Sequence, residues 1–250
     1  MSYTAFHLNI NQAQIENATT VILPGDPDRV DKIAALLEEP RPIMRKREYN
    51  IVLGYINNQP TLVCSTGIGG PSTAIAIEEL AMCGVKNFLR VGTTGALQKH
   101  IAPGDLIIST AAVRMDGASY HIAPAGYPAV ANIDMVNNLI KAAKESKLDY
   151  HVGVTASSDT FYQGQNRQDS FQKGFLIQPL RDKLEELQKL QVLSFEMEAA
   201  TVLTQTAAYG LKGACVLGVL VNRNHQETPA GEVLKAAQIN SIKVAINSLK

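Results

Sequence analysis

The chain has 250 residues, 46% of them hydrophobic and 18% charged, and its 23 basic side chains balance 23 acidic ones. A neutral chain without basic clusters argues against nucleic acid or an anionic membrane as the main partner, so any anion site has to be built locally from a few placed arginines. No uncharged apolar stretch approaches the roughly 20 residues that span a bilayer, and MSYTAFHLNINQ lacks the basic-then-apolar order of a secretory signal, so a cytoplasmic location is expected.

Strand and helix patterns alternate along the chain. Residues 19–23 suit a buried strand. After the turn at Gly25, Asp26 is placed to cap a helix that begins with Pro27 and carries Val30, Ile33, Ala34 and Leu37 until Pro40 stops it. Residues 47–56 and 61–66 read as a hairpin around Asn57-Asn58. Pro71-Ser72 opens an apolar helix that Gly84 closes. Strands are expected at 87–91, ending in the turn Gly92-Thr93-Thr94-Gly95, and at 105–113. A helix over 132–147 precedes a strand at 151–157.

Residues 158–180 are polar, aromatic and weakly periodic. Helices at 181–190 and 198–209, strands at 192–195 and 213–221, and an amphipathic helix over 231–249 complete the pattern. Neither repeat nor linker interrupts it, so we expect one α/β domain over residues 1–250, with a central mixed sheet flanked by helices. Cys64, Cys83 and Cys215 are scattered through apolar segments and read as buried, reduced thiols.

Five segments could carry chemistry. In TTVILPGDPDRV (19–30), Gly25 allows close backbone approach and Arg29 lies in the first helical turn, where it can reach an anion. Asp26 competes for the same N–H groups, so an ordinary capped helix with a surface arginine is the alternative. In FLRVGTTGAL (88–97), Arg90 interrupts an apolar strand and needs a partner, either an anion held with the neighbouring hydroxyls and glycine N–H groups or an acidic side chain.

The acids of SFEMEAAT (194–201), Glu196 and Glu198, suit glycosidase chemistry, hydrogen bonds to a sugar, or a plain helix start. In SSDTFYQGQNRQDSF (157–171), Gln165 and Arg167 beside Phe161 could read the edge of a planar heterocycle, or form only a polar surface loop. Arg223 in VNRNHQ (221–226) adds a pocket residue or a surface one.

Other chemistries lack their signatures. STGIGGPS (65–72) imitates a dinucleotide motif but has Ser72 where its third glycine belongs, and Arg90 rather than an acid about 20 residues on. Gly-x-Ser-x-Gly, Cys-x-x-Cys and His-Glu-x-x-His motifs are absent, and His7, His100, His121, His151 and His225 do not have metal-ligand spacing.

Taken together, PGDPDRV, CSTGIGGPSTAIAIEEL, RVGTTGA, GDLIISTAAVRMDGAS, HVGVTASSDTFYQGQ and FEMEAAT closely resemble the nucleoside phosphorylase I family, and within it the branch that acts on uridine. The resemblance covers most of the chain. It implies the phosphorylase/hydrolase-like fold, with a partly barrel-like sheet, and no catalytic cofactor, orthophosphate being a co-substrate. Gly25, Arg29, Arg90 and Thr93 resemble the phosphate site, completed by Arg47 from a neighbouring subunit. Thr93, Met197 and Glu198, with Glu196 in the same signature, would meet the ribose, and His7 would reach in from the neighbour. Phe161, Gln165, Arg167 and Arg223 resemble the uracil-recognising group.

Glu48, Ile68 and Ser72 match positions that hold a potassium ion between subunits in some relatives. The family's homohexamers, trimers of dimers, make self-association the expectation, with uridine and phosphate as the small-molecule partners. Purine-cleaving members carry an aspartate after the strand equivalent to 216–221; here VLVNRNHQ offers Asn222 and Arg223. Gln163, Asn166 and Gln168 depart from the commonest forms, which leaves tolerance of thymidine or deoxyuridine open. The rivals are a purine phosphorylase, a nucleosidase of the same fold and a non-catalytic nucleoside-binding protein.

Overall fold

A computed structural model describes residues 3–225 and 231–250; Gln226, at the end of VLVNRNHQ, lies outside them. The first strand, β1 (Thr20–Pro24), runs into the Gly25 turn and the short helix α1 (Asp28–Ala34). This helix starts one residue later and ends earlier than its sequence pattern predicts. Pro40 does not stop it: Pro40 and Pro42 both lie in β2 (Glu38–Lys46), an edge strand, where a missing N–H goes unneeded. The predicted hairpin is present as β3 (Tyr49–Ile56) and β4 (Gln59–Cys64). Asn57 and Asn58 take φ of 49° and 62°, the left-handed pair that a two-residue hairpin turn requires.

The sheet has two parts that share β5 (Asn87–Ala96). On one side it continues as β5-β1-β4-β3-β2. On the other, five strands close a ring: β5 pairs with β10 (Lys212–Asn222), β10 with β6 (Leu106–Met115), β6 with β8 (Tyr150–Ser158), β8 with β9 (Ser194–Glu196), and β9 returns to β5. The partly barrel-like sheet is therefore a closed five-stranded ring with an open extension. A two-residue strand, β7 (Ala129–Val130), pairs with β6.

Gly92-Thr93-Thr94-Gly95 is not a turn after β5, as the sequence suggested, but part of that strand. Paired glycines and threonines resemble loop chemistry, yet here the pairing with β10 carries the chain on to Ala96. The other edge of β5 pairs with β1 up to Val91 and with β9 only from Gly95. Residues 92–94 lie in the gap where the sheet divides, which leaves their backbone edge bare. A crevice at such a switch point is where open α/β sheets place ligands.

Helices cover both faces. On one side α4 (Ile133–Glu145) buries Val136, Leu139, Ala142 and Ala143 at helical spacing, with Asn132 capping its start through the Met135 N–H (3.2 Å). The last helix, α7 (Gly231–Ser248), packs beside it against β10 so closely that a Cβ at Gly218 would stand 2.3 Å from the Ala237 carbonyl oxygen. On the other side α2 (Gly70–Met82) packs on α6 (Ala199–Ala208), a helix buried nearly all round. Short helices α3 (Ala118–Ile122) and α5 (Lys183–Lys189) finish the set, and 158–177 is irregular, as its weak periodicity predicts. Cys64, Cys83 and Cys215 are buried free thiols.

Candidate active site

The β1–α1 turn places Gly25 and Asp26 at the rim of the sheet's division. Asp26 accepts the Asp28 N–H (3.0 Å), so one N–H at this helix start is already satisfied. Arg29 behaves differently. Its side chain folds inward to 8% exposure, reaches only the Val91 carbonyl at 3.5 Å, leaves Nε without a partner and makes no ion pair among the described residues. Burial lowers its pKa, Asp26 acts in the opposite direction, and the nearby positive charge of Arg90 lowers it further. A guanidinium nonetheless stays charged at neutral pH. This is a buried cation with an unfilled need for an anion.

Arg90, from the middle of β5, has the acidic partners that one of its two sequence readings required. It is an ion pair, with Nε on Glu196 Oε2 at 2.9 Å and Nη2 on Glu198 Oε2 at 2.5 Å. It also lines the cavity, and its Nη1 donates to no side chain or carbonyl among the described residues. Burial alone would depress its pKa, but the carboxylates of Glu198 and Glu196 outweigh that and hold the proton more tightly than usual.

The two acids are unlike each other. Glu196, at the end of β9, accepts from Ser157 Oγ, Arg90 Nε and the N–H groups of Glu198 and Ala199 (both 2.8 Å), so it also caps α6. Among the described residues Glu198 accepts only the Gly69 N–H (2.6 Å) besides Arg90. Burial raises its pKa, with Arg90 opposing and Glu196 reinforcing the rise.

At the far end of the cavity, Phe161, Gln165 and Arg167 project from the irregular segment. The Arg167 guanidinium lies 3.9 Å from the Phe161 ring centroid, a cation–π contact, with Nη1 3.8 Å from Asp169. Gln165 is buried, and its amide faces the cavity without a hydrogen bond to another side chain among the described residues. Together these residues enclose about 320 Å³, lined by Gly25, Arg29, Arg90, Thr93, Glu196, Met197, Glu198, Phe161, Gln165 and Arg167, the size of a small-molecule pocket.

Five predicted site residues do not line it. Arg223 is set behind the 158–170 segment: its Nη2 donates to the Gln165 carbonyl (3.0 Å) and its stem packs against Gly95, so it braces the pocket wall from outside. Arg47 is exposed at the β2–β3 turn with φ of 56°. His7 is pinned at the surface, Nδ1 on Glu79 Oε1 at 2.7 Å. Glu79 also accepts the N–H groups of His7 and Leu8; burial pushes its carboxyl up, but these donors outweigh it and hold the pKa below the usual range. Glu48 and Ser72 line a separate, open concavity that Ile68 shares with the main one. No group of three acidic, histidine or cysteine side chains disposed to hold a metal occurs among the described residues.

Sequence reasoning missed Thr94, Leu220, Val221 and Ser157. Thr94 lines the cavity because β5 runs on past its expected end, while Leu220 and Val221 lie in the predicted last strand, whose apolar pattern gave no sign of facing a cavity. Ser157 meets Glu196 across the β8–β9 pairing, a contact between residues 39 apart that no local pattern announces.

The sequence profile of the phosphorylase superfamily matches residues 19–249. The chain belongs to that superfamily. It is 47% identical over 245 residues to uridine phosphorylase of Escherichia coli (strain K12), covering 98% of this chain and 96% of that one. It is 49% identical over 243 residues to uridine phosphorylase of Haemophilus influenzae, covering 97% and 96%. A guanosine phosphorylase of Halorubrum lacusprofundi is 34% identical over 243 residues, covering 96% and 94%. Relatives with different base preferences thus span the same chain length, and base choice has to be argued from individual residues. Asn222 is one: its amide is tied to the Gln98 and Ile101 carbonyls (2.9 and 2.7 Å), leaving no acid there to protonate a purine.

Proposed function

We propose that the chain is a uridine phosphorylase, a pentosyltransferase of one catalytic domain over residues 1–250 that reversibly converts uridine and orthophosphate into uracil and ribose 1-phosphate. The observation that carries the reading is the buried, unpaired Arg29, which shares one cavity with the Gln165–Arg167–Phe161 group. An anion at Arg29 and the free face of Arg90 would sit below the sugar; a planar base would lie against Phe161, its carbonyl and imide edge matched by the amide and guanidinium. Gly25 and Thr93 complete the phosphate end, while Met197 and Glu198 meet the ribose.

Catalysis follows from positioning and electrostatics. As the glycosidic bond lengthens, negative charge spreads over N1, O2 and O4 of the leaving uracil, where Arg167 and Gln165 stabilise it. Positive charge grows at C1′, and phosphate held beneath it collapses onto that carbon to give the sugar phosphate. Within one subunit the cavity's ionisable groups are Arg29, Arg90 and Arg167 against Asp26, Glu196 and Glu198. A phosphate dianion would therefore gain from the exposed Arg47 of a neighbour, in keeping with a homohexamer whose sites are shared, with the half-buried His7 held by Glu79 at the surface. Glu48, Ile68 and Ser72 are proposed to hold a potassium ion between subunits.

No described helix is long and apolar enough to cross a membrane, in keeping with the proposed cytoplasmic location. The test is base release from uridine, inosine and thymidine with and without phosphate. Phosphate-dependent release of uracil from uridine is expected, with inosine inert. Phosphate-independent release would reassign the chain as a nucleosidase, and no release from any of the three would leave only a binding role.

A further inference from the structure

Glu196 and Glu198 flank one arginine, yet Glu196 is the more fully engaged by the protein. A carboxylate offers about four lone-pair sites, and Glu196 accepts four protein donors: Arg90 Nε and two helix N–H groups on Oε2, and Ser157 Oγ on Oε1. Its side chain is 1% exposed. Ser157 is fully buried on β8, donates its hydroxyl proton to Glu196 Oε1 and accepts the Ala200 N–H at 2.7 Å. One hydroxyl thus joins three elements: β8, the end of β9 and the first turn of α6. Arg90 in turn receives its orientation from Glu196 through Nε, and that orientation decides where the free Nη1 points.

We propose that Ser157 is a positioning residue for the anion end of the cavity: it locks the Glu196 carboxylate, which holds the Arg90 guanidinium in the plane that presents Nη1 to phosphate. Glu196 is on this view an orienting group for Arg90 and not a ribose ligand. The inference deepens the functional reading above and rests on it for the identity of the anion.

The test uses the full chain in its native assembly, with inorganic phosphate as the probe, titrated calorimetrically without nucleoside, alongside KM values for phosphate and uridine. Removing a buried donor to a carboxylate should weaken phosphate binding about tenfold in Ser157→Ala, a loss at the low end for a charged hydrogen bond. The KM for phosphate should rise in parallel, with the KM for uridine moving less than about twofold, and Ser157→Thr, which keeps the hydroxyl, should recover most of the loss. Unchanged phosphate affinity in Ser157→Ala, or an equal rise in both KM values, would overturn the proposal.

Glu196→Gln gives a second reading if the serine variants do not fold. A phosphate defect alone supports the orienting role, and a selective uridine defect overturns it. Wild-type protein that binds phosphate but releases no uracil would defeat the functional reading while leaving the Ser157 assignment to the binding data. Wild-type protein that binds no phosphate would defeat both.

Discussion

Arg90 stands within β5 and Arg29 at the start of α1, just past β1, whereas among the described residues Gln165 and Arg167 belong to a segment held mostly by its own turns. At the anion end the supporting contacts come from distant parts of the chain: Glu196, Glu198, Gly69 and Ser157 converge from four elements or their ends. At the base end they are local. Gly164 N–H donates to Thr160 Oγ1 (2.7 Å) and Arg167 N–H to the Tyr162 carbonyl (2.8 Å), with outside ties at Asp159–Gly117 (2.6 Å) and Arg223–Gln165. The proposed phosphate seat is thus built like a core and the proposed base seat like a loop. A reactant common to every turnover suits the rigid end, and the part of the substrate that distinguishes relatives suits the end where substitutions cost the fold least.

The two arginines of the rigid end give the largest expected effects and separate charge used for structure from charge kept for ligand. Arg90→Ala should reduce phosphorolysis by about 10³-fold or more, and should also destabilise the protein by about 3–5 kcal/mol because two buried carboxylates lose their counter-ion. Arg29→Met should cost about 10²-fold in activity, mostly through phosphate affinity, yet leave the melting temperature without phosphate unchanged or higher, since no ion pair is broken. Loss of stability in Arg29→Met would break the distinction; melting scans with and without phosphate measure it.

At the loop end the effects should be smaller and confined to the base. Gln165→Leu should lower kcat/KM for uridine by about 10²-fold through unpaired groups on the base edge, with the KM for phosphate unaltered. Gly164→Ala tests the loop's geometry without touching a ligand group. A Cβ there would stand 1.9 Å from Ser158 Oγ and 2.8 Å from Thr160 Oγ1, so Gln165 must shift; about a tenfold loss in kcat/KM for uridine is expected. A rise in the phosphate KM of either variant would show that the two ends are not independent.

The smallest effect is expected at Glu79, outside both ends. Its folded pKa lies below the unfolded value, so the stability it contributes is complete above the ordinary carboxylate range and is lost as pH falls through its depressed pKa. Glu79→Gln should therefore melt a few degrees lower than wild type at pH 7, with the gap closing in acid below about pH 4. A gap that persists undiminished at pH 3 would rule out the ionised carboxylate as its source.

Much of this was legible before any coordinates. Most helices and strands followed in order from local periodicity, although β2, α3 and β7 did not, and the Asn57-Asn58 hairpin rests on side chains adjacent in sequence. Misreadings arose where pairing overrode local chemistry. Gly92-Thr93-Thr94-Gly95 looked like a turn but is strand because β10 pairs alongside it, and Pro40 looked like a helix stop but sits in an edge strand whose missing N–H costs nothing. Arg223 does not line the cavity but donates to the Gln165 carbonyl, a contact between residues 58 apart that no local pattern announces.

By itself the sequence determined the class of fold, the superfamily and the residue types available for phosphate, sugar and base, since each depends on short motifs whose order survives along the chain. Only the tertiary structure decided what those residues are free to do. Ring closure through the three-residue β9 sets Glu196 and Glu198 against Arg90, so one arginine is largely neutralised while Arg29 is left unpaired. Charge pairing depends on distance in space, and a string of letters holds that distance only once the sheet has closed.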